Sequence, residues 1–120
     1  MSTGGTGQPL IPLQINLGGE GEEPDCLNQQ PFWLDLAVYV QSRTGISLQI
    51  VLNRGDQPYV FCDNRYLPFS SDYFNAVLTN GVPVDKITLW GPGVQSSEIR
   101  RVLRSGGEWI HDGIPVYRKP

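Results

Sequence analysis

The chain has 120 residues, a length typical of one domain with a single core, and 39% of them are hydrophobic, which favours a folded domain over disorder. A net charge of −3 gives no general attraction to nucleic acid, but it does not exclude a local basic patch. With one histidine and no Cys-x-x-Cys spacing, we expect no zinc site. No secretory leader and no apolar run of about 18 residues is visible, so we expect no membrane span.

Residues 1–9 are rich in Gly, Ser, Thr and Gln, which predicts a flexible lead-in before a single domain over residues 10–120. Apolar alternation and helical spacing then predict the first elements of that domain. These are strands at 11–17, 26–27, 46–52, 59–62 and 73–79, and a helix at 33–43.

The sequence of the C-terminal part of the chain predicts a helix followed by a hairpin. Ser96 or Ser97 is expected to cap a helix over 96–104, and Gly106 is expected to end it in the left-handed conformation. Asp112-Gly113 is a hairpin turn signal. The alternation of strands and helices predicts an α/β fold, with a mostly parallel sheet flanked by helices and an antiparallel C-terminal hairpin.

Three glycines in four residues, Gly18, Gly19 and Gly21, follow the first predicted strand. Glycine permits backbone angles and close ligand approach that a Cβ forbids. At the end of a buried strand, such a turn often holds a nucleotide-like cofactor. The alternative is that it is only a turn.

Three segments in a fixed order resemble the class I S-adenosylmethionine-dependent methyltransferase family. The first is Ile15-Asn16-Leu17-Gly18-Gly19. The second runs from Asp63 through Leu67-Pro68-Phe69 and Phe74 to Ala76-Val77-Leu78. The third combines Glu98, Arg101-Val102-Leu103 and Gly106-Gly107, with Ser105 where proline is usual. The resemblance covers roughly residues 14 to 110.

This resemblance implies a small Rossmann-like sheet that binds S-adenosylmethionine or a related nucleotide at the carboxyl ends of its strands. It places Asn80 where the family faces methyl donor and acceptor. The cofactor-binding positions that it implies are Gly18, Gly19, Glu20, Gly21, Gln29, Asp63 and Asn64. If Gly19 lets backbone approach a ligand, replacing it with Val should abolish binding while the fold survives.

Two departures from the family pattern concern charge. Glu20, Glu22 and Glu23 crowd the glycine turn, where carboxylates suit the amino group of the cofactor and repel its carboxylate. The family also has an acidic residue at the end of its second strand, where this chain has Gln29 or Asn53.

Other candidate groups have plainer alternatives. His111 beside Asp112 is a possible general base, but strand neighbours point to opposite faces, so we expect Asp112 to point away. Arg100, Arg101 and Arg104 suggest either a phosphate patch or solvated charge. The two cysteines, Cys26 and Cys62, are expected to be buried thiols rather than a disulfide.

Two other functions remain open. The first is a toxin domain at the end of a large secreted bacterial polypeptide. It would act on nucleotide or nucleic acid in the cytoplasm and be neutralised by an immunity protein. The second is a non-catalytic binding module with a degenerate cofactor site. We expect the cytoplasm to be the site of action in each case, with no membrane partner.

Overall fold

The computed structural model describes residues 13–19, 22–23, 25–31, 59–89 and 91–120. The predicted helix at 33–43, the strand at 46–52 and the sites Glu20, Gly21 and Asn53 lie outside these residues. The described elements are β1 (Gln14–Leu17), β2 (Leu27–Gln30), β3 (Tyr59–Phe61), β4 (Phe74–Thr79), β5 (Ile87–Thr88), β6 (Gly91–Pro92), α1 (Ser96–Val102), β7 (Leu103–His111) and β8 (Ile114–Arg118).

Six of the strands form one sheet in the order β3-β2-β1-β4-β7-β8. The first five are parallel, and β8 returns antiparallel to β7. The order reverses between β1 and β4, since the chain moves outward from β1 through β2 to β3 and then crosses back. This is the strand order of a Rossmann-like fold, and the predicted fold class is confirmed.

The described strands carry an apolar core cluster, because buried parallel strands need apolar cover, and one face of the sheet contributes part of it. Ile15 pairs with Leu27 on one side and Val77 on the other, which puts the three side chains on that face. α1 supplies Ile99 and Val102, which are wholly buried with them in one cluster.

The helix α1 ends two residues earlier than the sequence predicts. Leu103 already has extended backbone, is wholly buried and pairs with Phe74 in the sheet. Burial of Leu103 between strand neighbours outweighs the helical preference of the segment. Gly106 does have positive φ, at 80°, but it lies within β7, between the residues that pair with Phe74 and Ala76, where the register shifts.

The N-terminus of α1 is capped from a distance. Ser96 lies inside the helix rather than at its cap, which is Gln95. Asp85 accepts bonds of 2.9 Å from the Ser96 backbone N–H and 2.6 Å from its hydroxyl. These hydrogen bonds hold the pKa of Asp85 below its usual range. The predicted Asp112-Gly113 turn is confirmed, with φ of 51° and 82° at its two residues.

Candidate functional site

A cavity of about 430 Å³ lies at the carboxyl ends of the parallel strands. Gly18 follows β1, Gln30 ends β2, and Gly81 follows β4, so three neighbouring strand ends contribute to its wall. Among the described residues, the rest of the wall is formed by Pro31, Asn64, Val82, Pro83, Thr88, Gly91, Pro92 and Val94. Because the strand order reverses between β1 and β4, the cavity lies at the position where open α/β sheets bind ligands.

The glycine turn after β1 is held by hydrogen bonds from the chain itself. Gly18 has φ of 70° and donates its N–H to Gln29 Oε1 at 3.1 Å. Gly19 donates to the carbonyls of Asn16 and Gln29 at 3.1 and 3.0 Å. Gln30 Nε2 donates to the Gly19 carbonyl at 3.0 Å. The N–H groups of both glycines are therefore used within the protein.

Gly19 is also enclosed by protein atoms. A Cβ there would clash with Asn28 Oδ1 and lie 2.7 Å from the Asn16 carbonyl oxygen and 2.9 Å from Asn16 Nδ2. A larger residue at this position would therefore strain the fold itself. We therefore expect Gly19→Val to destabilise the fold as well as to block any ligand.

Gln29 and Gln30 have different roles at the end of β2. Gln29, the predicted ribose position, is wholly buried and bonds to Gly18 N, to the Cys62 carbonyl and to Asn64 Oδ1 at 2.8 Å. Gln30 is the residue that lines the cavity. The sequence pattern does not indicate Gln30 because β2 extends three residues beyond the strand predicted at 26–27, and that boundary decides which residue lies at the edge.

Asp63 and Asn64 follow β3 and differ in the same way. Asp63 binds Arg65 through both carboxylate oxygens, at 2.8 and 3.0 Å, and accepts the Arg65 backbone N–H. The Arg65 guanidinium holds the pKa of Asp63 below its usual range. Asn64 lines the cavity and donates to the Pro92 carbonyl at 2.8 Å, which ties it to β6.

Asn80 lies just after β4, beside the cavity residue Gly81. Its Nδ2 donates to Glu22 Oε2 at 3.1 Å and to Glu23 Oε2 at 3.0 Å. The loop after β1 and the loop after β4 are thus joined across the point where the strand order reverses.

His111 ends β7 within a chain of polar contacts. Its Nδ1 lies 2.8 Å from Thr79 Oγ1, which accepts the Trp109 indole N–H at 2.9 Å. Its Nε2 lies 3.4 Å from Asp112 Oδ2. The expectation that Asp112 points away is wrong, because Asp112 belongs to the turn and has φ of 51° rather than extended backbone. Asp112 also accepts the Gly81 N–H at 2.6 Å, which ties β7 to the cavity wall.

Arg101 does not belong to an open phosphate patch. Its guanidinium donates to both Glu98 oxygens, at 2.7 and 3.0 Å, and to the carbonyls of Leu67 and Phe69. These contacts fasten the loop before β4 to α1. Arg100 and Arg104 are exposed.

Cys26 and Cys62 are free thiols and are buried, as predicted. Burial, followed by the Glu23, Glu22 and Asp25 carboxylates, raises the pKa of Cys26 to about 11. The described residues contain no group of side chains suited to a metal ion. No helix within the described part of the chain is long and apolar enough to cross a membrane.

Neither a protein-family model nor a curated protein sequence matches the chain. Among solved structures, it is similar to a Methanococcus maripaludis protein assigned as an S-adenosyl-L-methionine-dependent methyltransferase, with 18% identity and a TM-score of 0.48. The match covers 82% of this chain and 46% of that protein, so the chain spans less than half of its length. The fold class rests on the strand order of this chain.

Proposed function

We propose that the chain is a methyltransferase-like domain that binds S-adenosyl-L-methionine or a related nucleoside. The observation that carries this proposal is the cavity of about 430 Å³ at the reversal of strand order between β1 and β4. Its volume lies within the range of about 300–1,000 Å³ common for small-molecule sites. Its lining is apolar with a few amide groups, which suits a nucleoside base and sugar.

In this proposal, two amide side chains recognise the nucleoside. Gln30, at the end of β2, takes the position beside the ribose hydroxyls, and Asn64, after β3, lies beside the base. An amide replaces the carboxylate that the family uses at the ribose. A lost hydrogen bond to a charged partner costs about 1.5–3 kcal/mol, so we expect affinity roughly tenfold to a hundredfold weaker than a carboxylate would give.

The sulfonium of the bound cofactor would supply an already activated methyl group. The chain therefore needs to align an acceptor and exclude water, and methyl transfer demands no general base from it. Asn80 follows β4, next to the cavity residue Gly81, and is held in place by Glu22 and Glu23, which makes it the candidate to orient an acceptor.

Isothermal titration calorimetry with S-adenosyl-L-methionine and S-adenosyl-L-homocysteine tests the proposal. Val82 lines the cavity, so Val82→Phe should fill it and weaken binding at least about tenfold. Val116→Phe makes the same change at an exposed position on β8 and should leave affinity unchanged. Absence of saturable binding, or equal affinity in Val82→Phe, would contradict the proposal.

One observation favours a second candidate, the non-catalytic binding module. The side chains of Gln30 and Asn64 already bond to the Gly19 and Pro92 carbonyls, and Asn80 bonds to two glutamates. Amide side chains that are already hydrogen-bonded within the protein suit a rigid binding site better than an active site that rearranges during turnover. Saturable binding without methyl transfer to any amine, hydroxyl or thiol acceptor would favour this second function.

A further inference from the structure

Two carboxylates converge on one nitrogen between the ends of β1 and β4. Glu22 Oε2 and Glu23 Oε2 lie 3.1 and 3.0 Å from Asn80 Nδ2. Glu22 Oε2 also accepts a bond of 2.9 Å from Asn16 Nδ2. A neutral amide group therefore occupies the point where two negative charges meet. A cation there would interact more strongly, because the attraction between opposite charges would be added to the hydrogen bonds.

Asn16 provides an independent sign of a missing donor. Its side chain is wholly buried, and the same amide that donates to Glu22 carries an Oδ1 with no hydrogen-bond partner. Buried polar atoms in folded proteins are nearly always hydrogen-bonded. An alkylammonium group has three donors and no acceptor, which matches two carboxylate oxygens and one amide oxygen.

The uncharged lining of the adjoining cavity agrees with that requirement. The described wall of the adjoining cavity contains no Asp, Glu, Lys, Arg or His. It therefore suits an uncharged ring and offers no cationic side chain to a phosphate or a carboxylate.

We propose that the site selects a nucleoside that carries an alkylammonium group and neither a carboxylate nor a phosphate. The ring lies in the cavity, and the ammonium lies against Glu22, Glu23 and Asn16. This proposal rests on the proposed function: the cavity binds the nucleoside, and the charge of the group attached to the nucleoside decides how tightly it binds. Decarboxylated S-adenosylmethionine has this chemistry, whereas S-adenosyl-L-methionine adds a carboxylate that the two glutamates repel.

Calorimetric titration of the full chain near pH 7 with four probes tests the selection. The probes are methylthioadenosine, S-adenosyl-L-methionine, its decarboxylated form and adenosine monophosphate. We expect the decarboxylated form to bind about tenfold more tightly than S-adenosyl-L-methionine, a difference of about 1.4 kcal/mol. Methylthioadenosine should bind measurably, and adenosine monophosphate should bind least.

A charge-removing variant identifies the source of the preference. Glu23→Gln keeps an oxygen acceptor for Asn80 and removes one negative charge, so the tenfold ratio should fall to about threefold or less. Glu108→Gln removes a carboxylate that lies 3.4 Å from Arg118 at the far edge of the sheet, and should keep the ratio.

The outcomes separate the two proposals. Binding of methylthioadenosine with equal affinities for the two sulfonium compounds overturns the selection by charge and leaves the proposed function standing. An unchanged ratio in Glu23→Gln also overturns the selection. If none of the nucleosides binds, both proposals are overturned.

Discussion

Gly19 is required by the packing of its neighbours. Asn28 Oδ1 and the Asn16 carbonyl and amide occupy the space that any Cβ would need. Two of these groups belong to β1 and one to β2, so the turn closes tightly onto the buried polar pair beneath it. A motif that suggests a ligand in the sequence is thus explained first by the internal structure of the turn.

Gly19→Ala should therefore destabilise the fold. We expect a loss of about 1–3 kcal/mol, the usual cost of inserting an atom into a well-packed interior. Urea unfolding monitored by tryptophan fluorescence measures the loss. Gly106→Ala is the comparison, because its Cβ would meet nothing within 4 Å and only the φ of 80° would be strained. Wild-type stability in Gly19→Ala would show that the turn can open and that the glycine serves a ligand.

At the scale of elements, an ion pair within α1 holds the loop before β4 through hydrogen bonds to its backbone. The Arg101 Nε lies 2.7 Å from Glu98 Oε2, and Glu98 also accepts the Leu67 backbone N–H at 2.9 Å. The Arg101 guanidinium, followed by that backbone bond, holds the pKa of Glu98 below its ordinary value of 4.5. The attachment of the loop before β4 to α1 therefore depends on the protonation state of Glu98.

The pH dependence follows from that shift. A carboxyl whose pKa is lower in the folded state contributes stability above its unfolded pKa, and the contribution is lost as pH falls through the folded pKa. Glu98→Gln should be less stable than wild type by about 1 kcal/mol near pH 7, and the gap should close below about pH 4. Denaturant unfolding across this pH range measures the gap. A gap that stays constant down to about pH 3 would contradict the role of the charge.

The same region shows where local patterns mislead. Glu98 to Arg104 reads as helix with a glycine stop, and the segment does begin as helix. It becomes strand at Leu103 because that side chain fits between Phe74 and Gly107, a contact distant in sequence that no local pattern reports. Asp85 binds the first turn of α1 from eleven residues away, a contact that is also distant in sequence, and the serine that the local pattern predicts as the cap lies inside the helix.

At the scale of the whole molecule, the sequence predicted the parallel sheet because strand periodicity and turn signals are local. It also predicted that Gly18, Asn64 and Asn80 follow the carboxyl ends of parallel strands at one edge of the sheet, and the structure places them there. It could not predict that Gln30, rather than Gln29, lines the cavity, because one residue of strand length reverses the face. Nor could it predict that the β5–β6 hairpin contributes Thr88, Gly91 and Pro92 to the wall, because that contact depends on tertiary packing.

The two thiols report on how this sheet opens. Cys26 precedes β2 and is 1% exposed, and Cys62 follows β3 and is 9% exposed, so both lie in the half of the sheet beyond β1. Burial raises the pKa of each thiol, to about 11 for Cys26, so few thiolates are present near pH 8. A thiol reagent attacks the thiolate and needs access to it. Burial and the raised pKa stop protecting the thiols only when β2 and β3 separate from the residues that pack on them.

We therefore expect both thiols of the native chain to react with dithionitrobenzoate near pH 8 at least about a hundredfold more slowly than in the unfolded chain. If β2 and β3 open together, the two thiols should share one rate, and that rate should rise in parallel with small additions of guanidinium. Cys26→Ala and Cys62→Ala each leave one reporter and assign the rates. Two rates with different denaturant dependence would show that the strands open separately. A thiol that reacts at the unfolded rate would mean that its strand is not covered in solution, because neither burial nor a raised pKa would then protect it.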